Sequence, residues 1–325
     1  MLAYIVRRLF YAIPILIGVN LITFALFFVV NSPDDMARMQ LGVKRVTPEA
    51  IEKWKVERGY DLPLFWNGEA ERLGKATQTI FYGKSVRMFA FDFGRADDGR
   101  DIGREIVTRM GPSLAVAVPV FVLGLFATVS FALLLVYFRA SYLDTAGVVL
   151  CVAMMSISGL FYIIGGQWLV SKVWHLVPIS GYAEGLTSAR FLILPVIIGV
   201  VGGIGSSTRW YRTIFLEEIG KDYVRTARAK GLSERLVLFR HVLKNAMIPI
   251  LTGVVVVIPT LFMGSLLIES FFGIPGLGSY TIDAINAQDF AVVRSMVFIG
   301  SLLYIVGLLL TDISYTLVDP RIRFQ

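Results

Sequence analysis

The stretch Asp222–Pro249, DYVRTARAKGLSERLVLFRHVLKNAMIP, is a charged segment in a chain of which 56% of the residues are hydrophobic. Around its start, basic and small residues recur at spacings of three and four, as on two faces of a helix. The basic face comprises Lys221, Arg225 and Arg228, and the small face comprises Gly220, Val224, Ala227 and Gly231. Gly231 suits the position just after a helix end, where a positive φ costs glycine little, and Ser233 can cap a following helix. The stretch therefore predicts a helix, a glycine turn and a second helix.

Long runs without charged residues lie on both sides of this stretch. The mean hydropathy of +0.69 and the charged fraction of 17% are outside the range of soluble globular domains. A hydrocarbon core about 30 Å thick requires roughly 20 apolar residues of helix, and most of the runs approach or exceed that length. The runs are Leu9–Val30, Ser113–Phe138, Thr145–Ser171, Phe191–Thr208, Asn245–Ile268 and Ser295–Thr311. We therefore predict an all-α integral membrane protein with six transmembrane helices, the last continuing through Asp312 towards Leu317.

The distribution of lysine and arginine predicts the orientation of these helices, because basic residues concentrate in short cytoplasmic segments. With the N-terminus inside, the inner segments contain Arg7, Arg8, Arg139, the basic residues of 209–244, Arg321 and Arg323. The two short outer segments contain Lys172, Arg190 and Arg294. Both termini are therefore expected in the cytoplasm. The net charge of +7 is attributed to this bias and not to a nucleic-acid partner.

The predicted organisation has three parts: a transmembrane helix at 1–30, an external insertion at 31–112 and a five-helix core at 113–325 that includes a cytoplasmic module at 206–245. The insertion is sizeable and lies between the first and second transmembrane helices. Because it is rich in aromatic residues, we expect it to be ordered and not a linker.

Local signals predict helices inside the insertion. Thr47 can cap a helix with Pro48 in its first turn, and a second helical piece is expected around Ala70–Ile80. The apolar side of the first helix comprises Ile51, Trp54 and Val56. The stretch GRDIGREIVTRMGP is predicted to form an amphipathic segment that leads into the second transmembrane helix.

The outer end of the fifth transmembrane helix carries an isolated glutamate, Glu269, followed by glycines and a proline in SFFGIPGLGSYTI. These residues rule out a regular helix through the middle of the stretch and predict a re-entrant or interfacial turn. Ionisable residues near membrane spans are functional candidates. For Glu269, helix capping or contact with the turn is weighed against attraction of a cationic substrate or a partner. For Asp312, pairing with a cytoplasmic arginine is weighed against contact with substrate.

The quoted stretch resembles the cytoplasmic coupling motif of the permease subunits of peptide/nickel ABC importers. Ala227 and Gly231 match the second alanine and the glycine of the general importer motif, and Arg225 and Thr226 replace its glutamate and first alanine, as in the peptide/nickel branch. The resemblance continues in YIVRRLFYAIPILIGVNLITF, FDFG, VPISGY, ESFFGIPGLG and DISYTLVDPRIRF. The chain departs from the family at NSPDD and at Ser158-Gly159, which replaces a proline-containing pair and so leaves a third-span kink without its usual proline.

The resemblance implies the type I permease fold of ABC importers in a bacterial inner membrane. The expected partners are a homologous second permease, two ATP-binding subunits that carry ATP and Mg²⁺, an external substrate-binding protein and membrane lipid. No cofactor, metal site or catalytic residue is expected in this chain, which is not predicted to be an enzyme. The residues expected to couple to an ATPase groove are Tyr223, Arg225, Thr226, Ala227, Arg228, Ala229, Lys230 and Gly231. Among these, Ala227 and Gly231 are expected to admit the partner's backbone, with Arg225 and Arg228 as rim contacts.

Other classes of function were weighed against this one. A secondary transporter is typified by inverted repeats or several intramembrane carboxylates, and neither is evident in the sequence. A membrane-embedded enzyme needs a convergent nucleophile–base or metal set, and the sequence has neither this nor a G-x-x-x-x-G-K-[ST] nucleotide-binding loop. The basic segment is also compatible with a solvated loop that contacts anionic lipids. Short peptides are the expected substrate by resemblance, and nickel is disfavoured because the spans contain few histidine, cysteine or acidic residues.

Overall fold

The computed structural model describes residues 2–42, 47–183 and 185–318. Within these residues the regular structure is helical, and the β-type pairing is limited to an isolated bridge between Arg95 and Asp101. The chain divides into two compact units. The first comprises Met1–Arg109 and Tyr280–Leu309, and the second comprises Met110–Ser279 and Leu310–Gln325.

Helices α1 to α6 begin in the N-terminal part of the first unit, before Met110. Their bounds are Leu2–Ala25 (α1), Pro33–Leu41 (α2), Pro48–Arg58 (α3), Gly74–Thr77 (α4), Ile80–Lys84 (α5) and Ile102–Tyr137 (α6). A π-helical turn, Leu26–Val30, continues α1, and a 3-10 turn, Val86–Ala90, follows α5. Helix α6 starts inside the predicted insertion because its amphipathic lead-in and the second apolar run form one continuous helix.

The remaining helices follow in chain order. Their bounds are Tyr142–Ser156 (α7), Gly159–Gly166 (α8), Ala189–Ile219 (α9), Asp222–Ala229 (α10), Glu234–Leu236 (α11), Leu243–Val257 (α12), Leu266–Phe272 (α13), Leu277–Ala287 (α14) and Phe290–Val318 (α15). Shorter helical turns of other types are Gln167–Val173 and Val237–Val242 (π) and Gly185–Ser188 and Ile258–Met263 (3-10). Helix α15 continues through Asp312, as the sequence predicts.

Five helical segments among the described residues are long and apolar enough to cross a membrane. They are Arg7–Val30, Ile102–Tyr137, Ala189–Ile219, Glu234–Met263 and Phe290–Ser314. The third predicted span is instead a pair of helices, Tyr142–Ser156 and Gly159–Val173, bent by 87°. A count of six holds only if this bent pair is taken as one span.

The bend in the third span has a local cause that does not involve proline. Ile157 and Ser158 both have extended backbone, with ψ of 127° and 143°, so the helix stops at Ser156 and starts again at Gly159. The replacement of the family's proline-containing pair by Ser158-Gly159 therefore does not straighten this span.

The insertion folds around an aromatic core in the first unit. Thr47 caps α3 as predicted, its Oγ1 accepting from the N–H of Ala50, and Ile51 and Trp54 are buried. Val56, expected on the same apolar side, is exposed. The buried core comprises Phe24, Phe28, Met36, Ala37, Ile51, Trp54, Tyr60 and Ile80. The helix expected around Ala70–Ile80 is replaced by the short helices α4 and α5.

Arg294, placed by the sequence in a short outer segment, is buried inside the first unit. Its guanidinium donates to the carbonyls of Phe290 and Lys84 and lies 4.8 Å from the ring centroid of Phe28. Burial, and then the positive charge of Arg294, lowers the pKa of Lys84 to about 8. The insertion therefore packs on the start of α15 through the buried guanidinium of Arg294. The prediction of orientation from lysine and arginine positions treats the same residue as a surface charge.

Candidate functional site

The segment Asp222–Val242, with the end of α9 before it, forms a compact helix–turn–helix that we call the coupling module. Helix α10 ends in a hydrogen-bonded turn in which Gly231 has φ +79°. The N–H of Gly231 donates to Arg228 O at 2.9 Å, and the N–H of Leu232 donates to Ala227 O at 3.3 Å. This pair of bonds is the Schellman arrangement, which satisfies the last carbonyls of a helix and requires a left-handed residue. The predicted glycine turn is confirmed.

Helix α10 is held by packing and not by its own stability. An isolated helix of this length is unstable in water. Val224 and Ala227 are buried, and they belong to a core cluster of the second unit with Phe215, Val237 and Leu238. The side of α10 that contains Val224 and Ala227 is therefore packed against the same chain's own helices.

This packing corrects the expectation that the small face of α10 admits a partner's backbone. That interpretation is wrong for Ala227, which is 4% exposed and covered by its own chain. The side chains exposed on α10 and its turn are Asp222, Arg225, Thr226, Ala229 and Lys230, and Gly231 is exposed with them. A partner that contacts α10 from outside meets this mostly polar surface, which we call the outer face of α10.

Ion pairs brace the glycine turn. Arg228 donates to Glu234 through Nε at 3.0 Å and Nη2 at 2.7 Å, so a two-point pair links α10 to α11. Glu234 also accepts from Arg139 at 3.5 Å, beyond the end of α6. The hydrogen bonds that Arg228 donates to Glu234 raise the pKa of Arg228 above its usual value. The sequence predicts that Arg228 contacts the rim of an ATPase groove, whereas in the structure its guanidinium pairs with Glu234 of the same chain.

The start of α10 is fixed by a second polar cluster. The hydroxyl of Tyr223 donates to Glu218 Oε1 at 2.7 Å, and Lys221 lies 2.6 Å from the other carboxylate oxygen. Burial, followed by the bond to Glu218, raises the pKa of Tyr223 well above the usual value of a phenol. Both ends of α10 are therefore bonded to neighbouring helices, the first to α9 and the second to α11.

A buried ion pair that the sequence analysis did not identify joins α7 to α9. Arg212 donates to the two oxygens of Asp144 at 2.9 and 2.8 Å, and Asp144 also accepts from the N–H of Ala140. Two parallel bonds between guanidinium and carboxylate fix orientation as well as distance. The signal in the sequence is a lone aspartate directly before the third apolar run, which starts at Thr145.

Glu269 lies in the segment Gly264–Ser279, which contains α13 and the turn after it and which we call the glutamate turn. Its carboxylate is fully buried and accepts the N–H of Ser265 at 3.1 Å and the N–H of Ser279 at 3.1 Å. Ser113 of α6 lies against the same carboxylate and accepts the N–H of Leu277 at 2.8 Å. The geometry supports the structural interpretation of Glu269, since no part of the carboxylate is exposed to a ligand.

Three glycines, with the N–H groups and the serine just described, form a close cage of atoms around the carboxylate of Glu269. A Cβ on Gly264 or on Gly276 would overlap the carboxylate of Glu269, and one on Gly278 would lie 2.6 Å from the backbone of Ser265. The predicted break in the helix is confirmed, because α13 ends at Phe272 and α14 begins at Leu277. The glycines here are needed for space, and Gly264 also for its backbone angle, whereas Gly231 is needed for its backbone angle alone.

The remaining candidate, Asp312, lies half-buried in α15, and its pairing with a cytoplasmic arginine stays a prediction. Arg321 and Arg323, used for orientation, lie outside the described residues. Within the described residues no group of three or more His, Cys, Asp and Glu side chains is arranged to hold a metal ion.

Comparison with known proteins identifies relatives along the whole chain. Residues 100–324 match the family model described as "Binding-protein-dependent transport system inner membrane component", and residues 1–87 match the corresponding N-terminal model. The dipeptide transport system permease protein DppB of Escherichia coli (strain K12) is 30% identical over 353 residues, and the oligopeptide transport system permease protein AppB of Bacillus subtilis (strain 168) is 29% identical over 332 residues. A Brucella abortus (strain 2308) protein, provisionally named as a peptide transport system permease, is 32% identical over 331 residues. Each alignment covers 100% of both chains.

Proposed function

Because this chain belongs to the inner-membrane permeases of the peptide ABC importer family, we propose that it forms one half of an ATP-driven import path for short peptides. The other half is a homologous second permease. Two ATP-binding subunits carry ATP and Mg²⁺ on the cytoplasmic side, and an external binding protein delivers the substrate. Both termini and the coupling module face the cytoplasm in this arrangement. The choice of peptides follows the names of the dipeptide and oligopeptide permeases to which the chain is similar.

The outer face of α10 is the surface that we assign to the ATPase. Its exposed residues surround a rigid turn, and the helix is bonded at both ends to the transmembrane helices. Closure of the ATPases around ATP would then move α10, and the helices bonded to it would follow. ATP can drive this movement only if its contact energy differs between the open and the closed ATPases. If α10 stays tightly bound in the ATPase groove in both states, the transmembrane helices move with the groove.

The observation that carries this proposal is the division of α10 into two faces. Val224 and Ala227 are buried in the chain's own core, whereas Arg225, Thr226 and Ala229 are exposed on the opposite side. A basic loop that only contacts lipid has no need of a short helix clamped in this way.

The test is a bulky substitution on the outer face, Ala229→Trp. The complete complex, reconstituted with its ATPases and binding protein, is assayed for uptake of labelled peptide and for peptide-stimulated ATP hydrolysis. We expect both to fall at least about tenfold while the amount of permease in the membrane is unchanged, because the new side chain blocks the ATPase groove. The matched control is Ala76→Trp, at an exposed helical alanine of the first unit, which should leave both activities unaltered.

Two outcomes contradict the proposal. Normal uptake by Ala229→Trp would exclude α10 as the coupling helix. Transport of peptide by the purified chain down an ion gradient, without ATPase subunits, would instead assign it to the secondary transporters.

A further inference from the structure

A groove of about 440 Å³ runs along the C-terminal end of α6 in the second unit. One wall is formed by α6, with Ser130, Leu134 and Phe138, and the other by the start of the helix that leads into α12, with Arg235, Leu238 and Phe239. We call it the α6 groove. It lies apart from the outer face of α10, since it includes none of the residues exposed there.

The depth of the α6 groove places most of it in hydrocarbon. Ser130 and Phe138 are eight positions apart, which at 1.5 Å per residue is about 12 Å along α6. The helix Ile102–Tyr137 is apolar enough to cross a membrane, and Phe138 comes directly after its end. The α6 groove therefore extends from a membrane surface into the apolar layer. A soluble partner cannot reach its deeper part.

The mouth of the α6 groove is positively charged. Arg235 is exposed there, and among the described residues no carboxylate lies within ion-pair distance of it. The adjacent carboxylate, Glu234, already accepts two bonds from Arg228 and a longer one from Arg139. A further arginine, Arg139, follows Phe138 directly. The occupant must therefore combine an apolar part for the deep wall with an anion for the mouth.

The chemistry of the α6 groove selects among membrane occupants. An apolar transmembrane helix of a second permease supplies only the part that fits the deep wall. A phospholipid supplies both parts, an acyl chain for the apolar wall and an anionic phosphate for Arg235 at the mouth.

We propose that the α6 groove binds an anionic glycerophospholipid, with one acyl chain along Leu134 and Leu238 and the phosphate at Arg235. Long cationic side chains near a membrane face favour anionic lipids, and an amphipathic ring such as that of Tyr137, which also lines the groove, suits the same depth. The inference does not depend on α10 acting on an ATPase, because it uses only the position of α6 in the membrane.

The first test measures lipid retained by the intact transporter after purification in detergent, supplied with equimolar phosphatidylglycerol and phosphatidylcholine. Native mass spectrometry should show preferential retention of phosphatidylglycerol. Removing one cation at a membrane surface predicts about a fivefold loss of this retention in Arg235→Gln. The matched control, Arg240→Gln, removes an exposed arginine of the same segment that does not line the α6 groove, and should retain the lipid.

The second test fills the deep part of the α6 groove. Leu134→Trp should displace the acyl chain and reduce retention by a comparable factor, whereas Leu123→Trp, at an exposed leucine of the same helix outside the groove, should not. Equal loss in Arg235→Gln and Arg240→Gln would overturn the proposal. So would equal retention of both lipids, or thermal stabilisation by inorganic phosphate alone that matches that by phosphatidylglycerol. Protection of Leu134→Cys from a thiol reagent in lipid-free complex would also overturn it, by assigning the groove to the second permease.

Discussion

The coupling module and the glutamate turn are both places where glycines interrupt helices of the second unit, yet their charged residues differ in exposure. In the coupling module the acidic and basic side chains pair near the surface, with Arg228 and Glu234 each about one-third exposed. In the glutamate turn a single carboxylate, Glu269, is fully buried and is satisfied by backbone N–H groups and a serine. The first arrangement leaves a face available to a partner, and the second excludes any ligand.

The glycines of the two regions differ in the same way. Gly231 has a positive φ, and a Cβ there would have no neighbour within 4 Å. Gly264 also has a positive φ, of +66°, but a Cβ there would overlap the carboxylate of Glu269. The same residue type therefore provides backbone freedom in one turn and both freedom and space in the other. Substitutions in the two regions should separate these effects.

The largest expected effect is that of Glu269→Ala. The change leaves the N–H groups of Ser265 and Ser279 buried without an acceptor, at a cost of about 3–5 kcal/mol in the free energy of unfolding. SDS-induced unfolding of the purified subunit in mixed micelles measures this cost. Glu217→Ala, at an exposed glutamate of the same unit, is the control and should have little effect. Equal stability of the two variants would show that the cage around Glu269 does not hold the turn.

A second comparison sets Gly264→Ala against Gly231→Ala. Both place a Cβ on a left-handed residue, which costs about 1–2 kcal/mol. Only Gly264→Ala adds overpacking against Glu269, worth a further 1–3 kcal/mol or so. The difference in unfolding free energy between the two variants isolates the packing contribution. If Gly231→Ala were the more damaging, the distinction between the two turns would be wrong.

The third prediction tests the two faces of α10. Ala227→Leu overfills the core at a buried position and should destabilise the subunit by about 1–3 kcal/mol. Ala229→Leu, two residues away and exposed, should be within about 0.5 kcal/mol of the original protein. The same unfolding measurement, made without partner subunits, distinguishes them. Equal effects would mean that α10 does not pack as described.

This result also bears on how much the sequence alone could predict. Helical spacing correctly gives a face that contains Val224 and Ala227, and the position of Gly231 correctly gives a left-handed turn. Spacing does not say what covers that face. Part of the cover comes from α6, about ninety residues earlier, at Ala132 and Val136, and only the tertiary structure shows that the chain itself fills the space assigned to a partner.

The burial of three charged residues could not be predicted from the sequence for a related reason. Glu269, Arg294 and Asp144 are each isolated charges at the edge of an apolar run, where hydropathy predicts an interface position. All three are buried, because carbonyls, N–H groups or an arginine distant in sequence satisfy them. The bend at Ile157 and Ser158 was also hidden, since β-type backbone at two residues leaves no proline as a marker.

The smallest expected effect is that of Arg228→Lys in the coupling module. Lysine keeps the charge but loses the two-point contact with Glu234, and the pair is about one-third exposed, so the cost should be about 0.5–1 kcal/mol. A double-mutant cycle with Glu234→Gln measures the coupling energy, and raising the salt concentration should reduce it. A cost comparable with that of Glu269→Ala would mean that the turn at Gly231 depends on its ion pair as strongly as the glutamate turn depends on its carboxylate. The contrast between the two regions would then be wrong.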